Sequence, residues 1–314
     1  MSIRKITEGA IVLAIYTIML LILLYVPIIG TIMLLVLPVP FIYYTAKNNW
    51  KDGFVFFVAS LAITFIVGSV LSLPMTISLG LTGLVFGWCI HTKRDRFTSF
   101  IAGTITFLII LIIQYVISIA IFNINYLDEF TLTINETIKH ATSMMEVLGQ
   151  DLPADFEKQI GATIDLFIVL LPSMFVLSSA LIVLFLQIIS YPIIKRLGIQ
   201  IPASKPFREL SLPRSIIWYF LIVLILSLII PAQEGTFLYN AITNLVYIMQ
   251  MLFVFQGITF IFYFAYQKNV HKAVPVIVTI FALLNPLLVQ IVRILGIIDV
   301  GFGLRNRLTS KKNK

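Results

Sequence analysis

Residues 98–122 read TSFIAGTITFLIILIIQYVISIAIF and contain no charged side chain. As an α-helix at about 1.5 Å per residue, such a run crosses the ~30 Å hydrocarbon core of a bilayer. Inside lipid an isolated run must satisfy its own backbone, which only a helix does. The run is continuously apolar rather than alternating, which argues against a barrel strand. Its flanks differ in sign. Before it stands TKRDRF, residues 92–97, with Lys93, Arg94 and Arg96. After it comes NYLDEFTLTINETIKHATSMMEVLGQDLPADFEKQI, residues 125–160, where Asp128, Glu129, Glu136, Glu146, Asp151, Asp155 and Glu157 outweigh Lys139 and Lys158. Half of the chain's 14 acidic residues therefore fall in one segment of a protein whose net charge is +8.

The rest of the chain repeats the apolar pattern. Hydrophobic residues make up 60% and charged residues 11%, with a mean hydropathy of +1.04. Soluble domains lie near half and a quarter. The expected fold class is thus all-α, a polytopic helical membrane bundle of eight or nine transmembrane helices with an external amphipathic helix. Spans are expected at 9–25, 31–46, 53–72, 75–91, 98–122, 163–190, 215–231, 241–266 and 273–298. Pro27, Pro74, Pro192, Pro213 and Pro231 are expected to bound several of them, because proline lacks a backbone donor. The first run resembles a signal peptide but lacks a small-residue cleavage site, so a retained helix is expected. The single cysteine, Cys89, can form no internal disulfide. Residue usage rich in Ile, Lys, Asn and Phe fits an AT-rich bacterial genome.

Charge orients the bundle, because Lys and Arg concentrate in cytoplasmic loops. Alternate connections carry them: Arg4 and Lys5 at the N-terminus, then Lys47 and Lys51, then Lys93, Arg94 and Arg96. The series continues with Lys195, Arg196, Lys205, Arg208 and Arg214 in 191–214, then Lys268 and Lys272. The intervening connections PIIG, SLP and PAQEGT have neither residue. This alternation puts the N-terminus in the cytoplasm and residues 123–162 outside a bacterial plasma membrane. Nine full spans would place the basic tail with Arg305, Arg307, Lys311, Lys312 and Lys314 outside. A fold-back near Asn285-Pro286 leaves eight full spans and a cytoplasmic tail, which the charge rule favours.

Within the acidic segment, Ile134, Ile138, Ala141, Met145 and Leu148 recur on one helical face. Thr133 with Glu136 matches a capping box, and Gly149 suits a helix exit. Few basic residues accompany them, so the apolar face is expected on protein rather than lipid. Pro153 is expected to start a second helix running into the sixth span. Asp165, one turn inside that span, is a candidate for an external cavity, because an ionisable group at membrane depth is a functional candidate.

Small and polar residues mark helix contacts. Gly80, Gly83 and Gly87 share a face with Thr76 and suit close helix packing. Ala10 and Ala14 form a pair suited to docking another subunit or to an internal contact. Asn240, Asn244 and Tyr247 share a face, and Asn285, Gln290 and Arg293 are expected partners in a bundle polar network. No catalytic constellation is present. His91, His140 and His271 lack metal-ligand spacing, and the chain has no nucleotide-binding or hydrolase motif. An enzyme is therefore not expected, nor a cofactor or metal, nor a nucleic-acid partner. The basic loops serve orientation and anionic lipid head groups, about 1 kcal/mol each near the surface.

The segment GIIDVGFGLRNRL, 296–308, places Gly296, Asp299, Phe302, Arg305 and Arg307 just after the last apolar run. It resembles the C-terminal signature of the YybS-like bacterial membrane proteins. The opening TEGAIVLAIYTIMLLILLYVPIIGTIMLLVLPVPFIYY, 7–44, is similar to the same family. That family has no established activity, so the resemblance implies membrane location without chemistry. Asp299 and the arginines are expected to anchor the helix end by charge pairing.

Residues 1–195, including the external segment 123–162, also resemble the six-helix S components of energy-coupling-factor transporters. Residues 196–298 add two or three helices, and 299–314 form a basic tail. This resemblance implies a substrate-binding or transport-related subunit that a coupling subunit grips at Ala10 and Ala14. ATPases would be separate chains, and ligand would enter beneath 26–31 and 123–162. The cell-shape protein MreD is thought to share a similar fold without transporting anything. A non-transporting scaffold for wall, division or sporulation machinery, partnered by envelope proteins, is therefore the alternative.

Overall fold

A computed structural model describes residues 3–147, 156–203, 205–229, 233, 235–305 and 308. Helices dominate it: α1 (Ile3–Tyr25), α2 (Pro27–Val36), α3 (Val39–Lys47), α4 (Trp50–Gly68), α5 (Leu73–His91) and α6 (Arg96–Ala120) come first. They are followed by α7 (Tyr126–Val147), α8 (Phe156–Arg196), α9 (Ser215–Ile229), α10 (Phe237–Gln267), α11 (Ala273–Leu284) and α12 (Pro286–Phe302). Among the described residues, 7 helices are long and apolar enough to cross a membrane, or 8 if the bent pair α11–α12 is one span. The all-α polytopic bundle is what the composition required.

The chain divides into two compact units. One comprises Met1–Gln150 and Met174–Ser204, the other Asp151–Ser173 and Lys205–Lys314. In the first unit the core is aromatic and aliphatic. Tyr16, Leu20, Phe41, Ile42, Leu84, Phe86, Val183, Leu186 and Tyr191 are all buried. Phe41 meets Tyr16 edge-on at 5.2 Å and Phe86 meets Tyr191 at 5.6 Å, the T-shaped geometry that ring quadrupoles favour. The glycines of α5 allow this density. A Cβ on Gly80 would stand 2.9 Å from the Phe57 ring, one on Gly83 2.9 Å from the Pro38 carbonyl, and one on Gly87 2.8 Å from the Ile42 carbonyl. So α5 lies almost backbone to backbone on α3.

Several boundaries differ from the sequence expectation, each for a local reason. The second expected span is two helices, α2 and α3, parted at Leu37-Pro38. Pro192 does not end the sixth span: α8 runs unbroken past it to Arg196. Tyr191 and Ile194, on either side of Pro192, are both buried, and that packing carries the helix through the one lost backbone bond. The amphipathic helix α7 starts at Tyr126, about two turns before the proposed capping box. Asn125 caps it, its Oδ1 accepting from the Leu127 amide at 3.1 Å, while Thr133 sits inside the helix and donates to the Glu129 carbonyl. Its half-buried positions are Leu127, Thr131, Ile134, Ile138, Thr142 and Met145, an i, i+4, i+7 stripe. Leu148, Gly149, Pro153 and Pro231 lie outside the described residues.

The second unit contains the break expected at Asn285-Pro286. There α11 and α12 meet at 118°. Pro286 holds the preceding residue out of the helical region, and Asn285 is extended at φ −118°, ψ 116°. Its Oδ1 accepts from the amides of Leu287 and Leu288, so the new helix begins with its first donors satisfied.

Candidate functional site

Residues of the C-terminal signature meet α10 in the second unit. α12 crosses α10 where Gly296 faces Gly257. A Cβ on Gly296 would lie 2.8 Å from the Gly257 nitrogen and overlap the Phe253 carbonyl, so only glycine permits the approach. One turn along α12, Asp299 is 3% exposed. Its Oδ2 accepts from Gln256 Nε2 at 2.5 Å and from Arg305 Nε at 2.9 Å. The helix ends at Gly303, left-handed at φ 59°, which turns the chain back so that Arg305 reaches Asp299.

Arg305 then uses its fork of donors on a second element. Nη1 donates to the carbonyls of Arg208 at 2.9 Å and Leu210 at 2.8 Å, and Nη2 to Thr259 Oγ1 at 2.8 Å. The guanidinium lies 5.3 Å from the Tyr263 ring centre. Gln256 also accepts from the Leu212 amide at 2.9 Å. The assembly pins the connection before α9 onto α10 and α12. An acid and a base neutralise each other where neither is well hydrated, and removing one strands the other at a cost of ~3–5 kcal/mol. The arrangement serves closure of the unit, since Arg305 Nη1 donates to backbone carbonyls of the chain itself. Asp299 Oδ1 is buried without a hydrogen-bond partner among the described residues. Phe302 is exposed, and Arg307 lies outside the described residues.

The polar network expected along α10 forms differently. Asn244 does not join Asn285, Gln290 or Arg293; it inserts into α8. Pro172 interrupts the backbone ladder there. The Ser173 amide donates to Asn244 Oδ1 at 2.9 Å, and Asn244 Nδ2 donates to the Val169 carbonyl at 2.6 Å. Those two backbone groups are i and i−4 positions of the helix, so one side-chain amide bridges the turn beside the proline. Asn240 contributes its carbonyl to Asn244 Nδ2 at 2.8 Å. Tyr247 is half-buried on the same helix. Asn285 is the α12 cap, Gln290 is exposed and Arg293 half-buried. Asp165 is exposed on α8.

In the first unit a second polar cluster lies at membrane depth. Tyr16 Oη is 2.7 Å from Thr64 Oγ1 and 2.9 Å from Thr76 Oγ1, and the two threonines are 3.0 Å apart. All three side chains are fully buried. Sequence reading singled out Thr76 only as a companion of the glycines. A tyrosine and threonines inside apolar runs were the available signal, as was Gln256 in QMLFVFQGITF. On the outside of α1, Ala10 and Ala14 are both exposed on one face.

These features define a polytopic α-helical membrane protein held by small-residue helix crossings and a partly buried acid–base pair. The chain belongs to the family described as "Predicted membrane protein (DUF2232)", which it matches over residues 14–300. The "Uncharacterized protein YybS" of Bacillus subtilis is 32% identical over 308 residues, covering 97% of this chain and 98% of that relative. The YybS-like resemblance read from residues 7–44 and 296–308 therefore holds. No solved structure matches the chain. The S-component likeness accordingly rests on the sequence pattern alone.

Proposed function

We propose that this protein is a non-enzymatic, transport-related subunit of a bacterial plasma membrane that works by docking a second membrane protein on α1. Its N-terminus is cytoplasmic and residues 123–162 are outside. One observation carries the reading: Ala10 and Ala14 form a small-residue step on an exposed helix face. Such a step lets another helix approach closely, and in lipid dispersion at short range drives helix association. Following the S-component resemblance, the partner is a transmembrane coupling subunit whose ATPases are separate chains. Purification from native membranes with and without the double substitution Ala10→Leu, Ala14→Leu tests this. The reading expects a membrane partner to be lost from an otherwise monodisperse variant. Retention of every partner refutes it.

A second reading, the envelope scaffold, is favoured by the Tyr16–Thr64–Thr76 cluster. A ligand pocket needs convergent polar groups left free for the ligand, whereas these three satisfy one another. Crosslinks from α7, at Lys139, to wall-synthesis enzymes would favour the scaffold over the transport subunit.

A further inference from the structure

Beside the alanine face, α1 and α3 leave an open groove of about 640 Å³. Its trough is apolar, formed along α1 by Ile11, Ile15 and Met19, and one end is charged, with Arg4, Glu8, Tyr43 and Lys47. Lys47 donates to Glu8 at 2.5 Å and to the Tyr43 hydroxyl at 3.2 Å, so those charges largely cancel. Close by, Lys5 and Asp52 cancel in the same way at 2.7 Å. Arg4 is exposed and forms no ion pair among the described residues. The mouth therefore keeps a net positive charge, and Lys195 and Arg196 directly precede Leu197, which also lines it.

Length decides what fits. From Arg4 to Met19 the lining extends roughly 22 Å along α1, at ~1.5 Å per residue. One leaflet offers about 15 Å of hydrocarbon plus ~5–7 Å of head group. A partner's transmembrane helix would run the full ~30 Å and leave Arg4 facing apolar side chains. We propose that this groove is a site for one anionic phospholipid, its acyl chain along Ile11, Ile15 and Met19 and its phosphate at Arg4. Basic pockets between membrane helices recognise anionic head groups by this charge arrangement. The site is on a different face from Ala10 and Ala14, so it stands whether or not α1 docks a partner.

Native mass spectrometry of the full chain released from mild detergent tests it, with phosphatidylglycerol and phosphatidylcholine as probes. The wild type should retain one phosphatidylglycerol in preference to phosphatidylcholine. Arg4→Gln should weaken phosphatidylglycerol about fivefold, one surface charge's worth. Ile15→Trp, which fills the trough without touching a charge, should weaken it as well, while Lys139→Gln on α7 should not. Both test substitutions are at exposed side chains, so loss of folding does not mask the result. Equal retention of the two lipids, or unchanged binding in both Arg4→Gln and Ile15→Trp, overturns the proposal. Thermal stabilisation by millimolar inorganic phosphate as large as that by phosphatidylglycerol overturns it too, in favour of a free-anion site.

Discussion

Replacing Gly296 with alanine should destabilise the second unit, although alanine is the better helix former. On propensity alone the change favours the helix by up to ~1 kcal/mol. The new Cβ would stand 2.8 Å from the Gly257 nitrogen and overlap the Phe253 carbonyl. Restoring ordinary contact near ~3.5 Å with the Phe253 carbonyl requires α10 and α12 to separate by roughly 1.5 Å. Overpacking of this kind costs ~1–3 kcal/mol. The same movement stretches the bonds that cross between the helices, Gln256 to Asp299 at 2.5 Å and Arg305 to Thr259 at 2.8 Å. Losing either adds ~0.6–2 kcal/mol at membrane depth. The net effect is a loss of about 1–4 kcal/mol. Gly301→Ala supplies the control: it gains the same propensity, and its Cβ meets only the flexible tip of Ile217, at 3.2 Å. Equilibrium unfolding in mixed micelles, followed by circular dichroism, compares the two variants. If they agree within ~0.5 kcal/mol, α10 and α12 do not cross as closely as described and the reasoning fails.

Asp299→Asn should cost about 3 kcal/mol in the same assay, because it removes the carboxylate on which Arg305 Nε and Gln256 Nε2 converge; the double substitution Asp299→Leu, Arg305→Met should cost less than Asp299→Asn alone. Asn244→Ala should lower stability by ~1–2 kcal/mol, since the Ser173 amide and Val169 carbonyl lose their bridge, and infrared amide bands of labelled Val169 should report the change. Asp95 caps α6, and its hydrogen bonds from the Thr98 side chain, then the Thr98 and Phe97 amides, hold its carboxyl below the ordinary range. A depressed carboxylate stabilises above its unfolded value and loses that contribution as pH falls through its folded value. The melting-temperature advantage of the wild type over Asp95→Ala should therefore be present at neutral pH and vanish in acid below the ordinary carboxylate range.

The long spans were legible because hydropathy at membrane depth tolerates little else, whereas the expected span 215–231 is, among the described residues, the 15-residue α9, too short to count among the 7 crossing helices. The turn at Asn285 was legible because proline and a capping asparagine coincide there with too short a run for two crossings. The close crossing of α5 on α3 was legible in its glycines, but its partner helix was not, because spacing within one helix says nothing about which neighbour it meets. The same limit hid the α10 network. Asn244 reads as a membrane polar residue in need of partners, yet those partners are backbone groups 71–75 residues away, exposed by a proline in another helix. Asp299 and Arg305 could be paired from the sequence because they are 6 residues apart across a helix end. Gln256, which completes their cluster from 43 residues away, could not. Local cap chemistry misled at α7, where Asn125 outcompetes Thr133 by standing at the true start of the apolar stripe.

The orientation of the bundle, on which every functional reading depends, is tested most directly in intact cells. In a Cys89→Ser background, single cysteines at Lys139 and at Arg94 occupy exposed positions on α7 and on the connection before α6. A thiol reagent that cannot cross the bilayer should modify the cysteine at 139 and spare the one at 94 until the membrane is opened. Modification at 94 with none at 139 would contradict the account.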